Sequence, residues 1–376
     1  MYLKLKNLLI LLICFVRFIF FGKSNKTVNN PKKILIVQMA KLGDMVCTTP
    51  MFRAVKERYP NANIFVGGNE LNKKLLEYNK DVDGYIVFSG NFFSLIKKIK
   101  KERFDFACIT GPDFLSLSVL YLSGLKSISA PVVVNGYSPY LTKSYKFLLK
   151  FVFVIKHRMG YYAPREYLKL LEPIDIFTSK IKKYLDFSKE ADEKIYKFFV
   201  KNRLDKNNFI VGISVTAGNK IKEWDIKNFA RIINYIKENY DVKIILIGSN
   251  ADKQKIKILY DLVGDKVVDS SGLFNLDELK SLISKLKLFI SVDTGPVYIA
   301  EAFDIPTIDI VGPMDEKEQP PLGVMNRIVK VNRNRPELHI MNARVYDKDE
   351  ALRQVREITT DMVISELDNI LSKIYS

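Results

Sequence analysis

KKILIVQMAKLGDMVCTTPMFRAVKERYPNANI, residues 32–64, is the stretch on which the fold turns. Within Lys33–Met39 the run ILIVQM is apolar without alternation, the mark of a parallel strand covered on both faces. It ends in Ala40-Lys41-Leu42-Gly43-Asp44, and Met45, Val46, Met51, Phe52 and Val55 then recur at helical spacing. After Pro60 a second strand is expected over Asn63–Val66. Strand, helix and strand in that order make a βαβ unit.

Further strands are expected at Gly84–Phe88 and Phe104–Thr110, whereas the aromatic-rich region from Leu115 to Tyr162 shows no readable division. The alternation resumes near Phe209. IVGISV (Ile210–Val215) runs into Thr216-Ala217-Gly218-Asn219, a helix is expected from Ile226 to Asn239, and VKIILIG (Val242–Gly248) is the next strand. A helix over Asp252–Leu262, a short strand at Val267–Asp269, a helix over Leu276–Lys285 and the strand LFISVD (Leu288–Asp293) follow. Thr294-Gly295-Pro296 breaks that strand, a helix begins near Val297, and Pro306–Val311 is another strand. The class is therefore α/β, with two doubly wound, Rossmann-like domains facing a cleft. The charged stretch Lys180–Asn208 separates them. The expected organisation is an N-terminal helix and linker (1–30), a first domain (31–180), a second domain (205–345) and a helical tail (346–376). Ligands of open α/β sheets bind at the carboxyl edge, so the turns at 40–45 and 293–297 should both look into the cleft.

Ahead of this lies LLILLICFVRFIFF, residues 8–21, flanked by Lys4, Lys6, Lys23 and Lys26. The run is shorter than the ~20 apolar residues of a spanning helix, and no small-residue cleavage site follows Phe21. An apolar helix lying in the membrane interface is the expected state, with a short signal anchor or a helix packed on the protein as alternatives. The formal charge of +17 suits anionic lipid, phosphorylated substrates or nucleic acid, and equally a solvated Lys-rich surface. No nucleic-acid-binding module is recognisable, so no nucleic-acid partner is expected. Cys14, Cys47 and Cys108 form no CxxC pair and there are two histidines, so neither a disulfide framework nor a Cys/His zinc site is implied, and the compartment reads as reducing cytoplasm.

Four turns carry candidate chemistry. Asp44, directly after Gly43, either accepts a proton from an incoming hydroxyl or caps its helix. Lys41, Thr48 and Thr49 beside it are candidate acceptor contacts. Asp293-Thr294-Gly295-Pro296 offers helix-start amides and a hydroxyl to a diphosphate. Thr216 and Gly218 form a small-residue turn after a strand, with Lys222 placed to neutralise a leaving diphosphate and Trp224, the chain's only tryptophan, close behind. Asp252 either binds a ribose hydroxyl or caps its helix. No GxGxxG follows the first strand, and neither GxxxxGK[ST] nor GxSxG occurs, which disfavours dinucleotide enzymes, P-loop NTPases and elbow hydrolases.

Together, residues 32–64, VGISVTAGNKIKEWDIKNFARII (211–233) and LFISVDTGPVYIAEAFDIPTIDIVGP (288–313) resemble glycosyltransferase family 9, the lipopolysaccharide heptosyltransferases, over about residues 32–370. The resemblance implies a GT-B fold and an inverting, metal-independent transfer with no cofactor. The donor would be a nucleotide-diphosphate sugar (ADP-heptose or another) and the acceptor a glycolipid or glycan, at the cytoplasmic face of the inner membrane. It implies Asp44 as general base, Lys222, Thr294 and Gly295 as holders of the donor phosphates, and Asp293 as a contact to donor hydroxyls. At two positions the chain departs from the family's habit. Tyr298 stands where His is usual, and Gln38 where Arg is frequent. A catalytically silent sugar-nucleotide binder on the same fold is the alternative function.

Overall fold

Ile34, Leu35, Ile36 and Val37 are all buried, which only a strand covered on both faces allows. In a computed structural model that describes residues 2–205 and 208–375, with the side chains of 2–4 and 374–375 left aside, this strand is the centre of a six-stranded sheet. The chain divides into two compact units, one of Met1–Tyr184 with His339–Val345 and one of Leu185–Leu338 with Tyr346–Ser376.

The strands of the first unit are β1 (Lys33–Val37), β2 (Asn63–Gly68), β3 (Gly84–Val87), β4 (Phe106–Ile109), β5 (Ile128–Val134) and β6 (Phe153–Arg158). They run parallel in the order β3-β2-β1-β4-β5-β6. The helices are α1 (Tyr2–Phe21), α2 (Leu42–Arg58), α3 (Glu70–Leu76), α4 (Phe92–Glu102), α5 (Phe114–Leu122), α6 (Lys143–Leu149) and α7 (Ala163–Leu168). The region without a readable division thus holds α5, β5, α6 and β6. Its reading failed for a physical reason. Pro131 sits inside β5 and argues against a strand, but it is tolerated because β4 pairs only with Ile128 and Ser129, before the proline.

Strands β7 (Phe209–Ser214), β8 (Val242–Leu246), β9 (Val268–Asp269), β10 (Leu288–Val292), β11 (Thr307–Ile310) and β12 (Arg327–Val329) form the second unit's parallel sheet, in the order β12-β11-β10-β7-β8-β9. Its helices are α8 (Lys189–Lys201), α9 (Ile226–Asn239), α10 (Lys253–Val263), α11 (Leu276–Ser284), α12 (Gly295–Ala302), α13 (Lys348–Arg356) and α14 (Thr360–Tyr375). Val363, Leu367, Ile370 and Leu371 of α14 enter the same buried cluster as β7 and β10, and Asp368 accepts hydrogen bonds from the hydroxyls of Tyr235 and Tyr240. Helix α14 therefore contributes to this unit's core.

Helix α1 packs one stripe, including Ile10 and Cys14, into the core shared with α5 and α6. Its exit is fastened by backbone bonds. Ser24 N–H donates to Phe151 O, Ile128 N–H donates to Ser24 O, and Lys26 N–H donates to Lys126 O. The Tyr121 hydroxyl donates to Gly22 O and the Ser24 hydroxyl to Leu125 O. Phe18 stacks on Phe151 with centroids 4.6 Å apart. Burial pushes the Cys14 thiol up to about 12, so it stays protonated as a core residue. Among the described residues no helix is long and apolar enough to cross a membrane.

Candidate functional site

In the first unit the turn after β1 is braced by side-chain amides. Gln38 accepts from Ala40 N–H at 3.0 Å and donates to the Thr48 hydroxyl at 3.1 Å. Asn69 and Asn72 both donate to Ala40 O, at 3.2 and 3.0 Å. Gly68 completes the seat, because a Cβ there would stand 2.8 Å from Gln38 O and 2.3 Å from the Tyr85 hydroxyl. Lys41 is the N-cap of α2, without a side-chain cap bond, and its side chain is exposed. Asp44 consequently lies in the first helical turn and is not the cap. A carboxylate there is favoured by the positive end of the helix dipole.

Thr48 and Thr49, expected to touch an acceptor, are fully buried. The Thr48 hydroxyl donates to Asp44 O at 2.8 Å. Pro50 lacks the N–H that would bond Val46 O one turn back, and the Thr49 hydroxyl supplies that bond at 2.8 Å while accepting from Tyr184 N–H at 3.0 Å. Both threonines serve the fold of α2. Sequence spacing could not reveal this, because α2 is buried around most of its circumference and has no polar face to orient it.

In the second unit β10 lies between β7 and β11, with Ser291 opposite both Ser214 and Asp309, so the turns after these strands end side by side. From the turn after β7, Lys222 Nζ reaches Asp293 Oδ2 at 2.7 Å. Tyr298, one turn into α12, donates to Asp293 Oδ1 at 2.5 Å. Asp293 is 3 % exposed, and these two partners take the place of the water its carboxylate lacks. Thr294 caps α12 through backbone conformation alone, with no side-chain cap bond, and Gly295 and Pro296 open the helix. Thr216 is buried at the start of the β7 turn, and Gly218 lies in the same loop. The loop is tied down by Glu223, which accepts from Ala217 N–H at 3.1 Å and from Lys255 Nζ at 2.9 Å. Trp224 is buried, and its indole N–H donates to Ile358 O at 2.9 Å, which fixes the base of the loop.

Asp252 does not join this group. Its carboxylate accepts from the Ser249 N–H and hydroxyl at 2.8 and 2.6 Å, a capping box ahead of α10, so the capping alternative is the one the structure realises. The reading of the sequence also passed over Asp309. It is buried on β11 with Oδ1 lacking a hydrogen-bond partner. Burial, reinforced by the Asp293 charge and opposed by Lys222, holds its carboxyl well above the usual range. The signal was available, since a lone aspartate inside the apolar run Ile308–Val311 is costly unless the group stays neutral. Lys222, Asp293 and Tyr298 form a site where a cation, a carboxylate and a hydroxyl meet beside a helix start that has no side-chain cap bond. Such a site can hold a polyanion while its own charge stays balanced.

The profile of a family described as glycosyltransferase family 9 (heptosyltransferase) matches residues 92–344. Lipopolysaccharide heptosyltransferase 3 of Escherichia coli is 25% identical over 289 residues, covering 73% of this chain and 81% of its own. Lipooligosaccharide heptosyltransferase 2 of Haemophilus influenzae is 24% identical over 362 residues, covering 90% and 99%. Among solved structures, a family 9 glycosyl transferase from Veillonella parvula superposes with a TM-score of 0.76 at 16% identity, over 93% of this chain and 99% of its own. The E. coli ADP-heptose lipopolysaccharide heptosyltransferase II gives 0.71 at 19% identity, over 92% and 100%.

Proposed function

The chain belongs to glycosyltransferase family 9, and from that membership we propose that it is an inverting, metal-independent heptosyltransferase. Its donor is ADP-heptose or a related nucleotide-diphosphate sugar, and its acceptor is the core of a lipopolysaccharide or another surface glycan at the cytoplasmic face of the inner membrane. The observation that carries this reading is the Lys222–Asp293–Tyr298 cluster beside the start of α12. The donor diphosphate competes with Asp293 for Lys222 and takes hydrogen bonds from Thr294 and the Gly295 amide, with Thr216 and Gly218 lining the loop and Pro296 fixing the helix entry. Asp293, released from Lys222 and still held by Tyr298, turns one oxygen toward donor hydroxyls. Lys41 is the remaining acceptor contact.

Transfer is a single displacement. Asp44 takes the proton of the attacking acceptor hydroxyl while its oxygen bonds to the anomeric carbon. The bond from that carbon to the phosphate oxygen breaks, and the nucleoside diphosphate leaves with the electron pair, its new charge met by Lys222 and the helix start. Asp44→Ala should lower kcat by about 10²–10⁴-fold and leave the nucleotide-induced rise in Tm intact. Thermal shift against ADP-, GDP- and UDP-sugars identifies the donor.

Tyr298 at the position where the family usually has His favours a second reading, a protein that binds a sugar nucleotide without transferring it. Equal, background turnover by wild type and Asp44→Ala with every donor that raises Tm would establish that reading and remove the first.

A further inference from the structure

Helix α1 is built into the first unit along one side only. Leu5, Leu8, Leu12, Phe15, Ile19 and Phe20 recur at helical spacing on the opposite side, and their exposure runs from 43% at Phe15 to 75% at Phe20. The stripe runs along a twenty-residue helix, about 30 Å long, and a contiguous exposed apolar face of this kind marks a contact surface.

What covers it is indicated by charge. No acidic residue occurs from Met1 to Gly43 or from Phe114 to Arg165, the segments that supply α1, α5 and α6. Lys143, Lys146 and Lys150 are exposed on and just after α6, which packs directly against α1 through the Phe15–Phe147 ring contact. Lys6, Lys23 and Lys26 are exposed along and just beyond α1 itself. An apolar stripe bordered by lysines, on helices that carry no carboxylate of their own beyond the Asp113 cap at the start of α5, matches a surface whose outer layer is anionic and whose interior is hydrocarbon. A second copy of the chain would instead set two lysine borders against each other.

We infer that the outward stripe of α1 and the lysines of α6 together form an in-plane docking surface for an anionic lipid bilayer, with α1 lying along the membrane as a rigid part of the first unit. The inference deepens the proposed function by naming the face that meets the membrane, and rests on it only for which membrane that is. Docking of this kind differs from a flexible leash. The bonds of Gly22, Ser24 and Lys26 to Tyr121, Phe151 and Lys126 fix the angle at which the unit stands on the bilayer.

The test is flotation of the full chain with vesicles of phosphatidylcholine containing phosphatidylglycerol, against phosphatidylcholine alone. Wild type should float with the anionic vesicles. The triple change Leu8→Gln, Leu12→Gln and Ile19→Gln should reduce the bound fraction at least about tenfold. Lys143→Gln, Lys146→Gln and Lys150→Gln together should reduce it by about a hundredfold on anionic vesicles and little on neutral ones. Both variants should keep the wild-type melting profile and the Tm rise with ADP, since neither set touches the donor site. Wild type remaining with the soluble fraction, outward variants floating like wild type, or a dimer in buffer whose formation depends on Leu8 and Leu12 would each overturn the inference. Absence of any nucleotide-induced shift in a wild type that still floats would count against the transferase reading and leave the docking surface standing.

Discussion

Asp309 enters β11 between two buried isoleucines, within electrostatic reach of Asp293, Lys222 and Glu301. Its folded carboxyl binds its proton more tightly than in the unfolded chain. The stability tied to that proton is complete below the ordinary aspartate value and is lost as pH rises through the folded value. Asp309→Asn, permanently neutral, should therefore be more stable than wild type at alkaline pH, and the gain should fade as the pH is lowered. Urea denaturation at several pH values measures this, and a pH-independent gap would show that Asp309 does not titrate. The residues that the structure brings together around Asp293 were partly legible in sequence at this scale. Lys222, Asp293 and Thr294 follow apolar runs, and the carboxyl ends of such strands are where ligands bind. Thr48, Thr49 and Asp252 were misassigned or left open because a hydroxyl or carboxylate beside a helix start serves the backbone as readily as a ligand, and only coordinates show which way it turns.

Among elements, the loop that presents Lys222 depends on what lies beneath it. Trp224 fills the space between that loop and Phe229 of α9, 5.1 Å away centroid to centroid, and bonds Ile358 between α13 and α14. Trp224→Phe should cost about 2–4 kcal/mol of stability in denaturant titrations followed by circular dichroism, and should loosen nucleotide binding through a displaced Lys222. An unchanged midpoint would mean the loop is held from elsewhere. The strands β1, β2, β7, β8 and β10 announce themselves as apolar runs, because burial on both faces leaves polar residues no place. Strand β12 and the succession β5, α6, β6 do not. The first has three residues, and the second mixes an internal proline with an edge strand in which His157 alone is buried.

For the molecule as a whole, the excess of +17 is offset locally wherever structure requires it. Arg333 donates to Gly312 O, to Met314 O, to Gln354 Oε1 and to the Glu316 carboxylate, which also pairs with Lys330. Burial alone would raise Glu316, but the hydrogen bonds from Lys330 and Arg333 outweigh it and bring the carboxyl from 4.5 down to about 2. The stabilisation is whole above the ordinary glutamate value and is lost as pH falls from there toward 2. Glu316→Gln should be less stable than wild type by roughly 2 kcal/mol at neutral pH, with the two converging in acid. Thermal melts across that range check this, and a constant difference would assign the effect to packing.

The order of the chain has one more consequence for α1. Its partners in the core, Tyr121, Phe147 and Phe151, are translated more than a hundred positions later, as the Ser24–Leu125 bond across 101 residues illustrates. At ~5–20 residues per second, the ribosome delivers them on the order of ten seconds after the helix has emerged. Throughout that interval the stripe that ends up in the core has none of these partners to pack on, and it is as bare as the outward one.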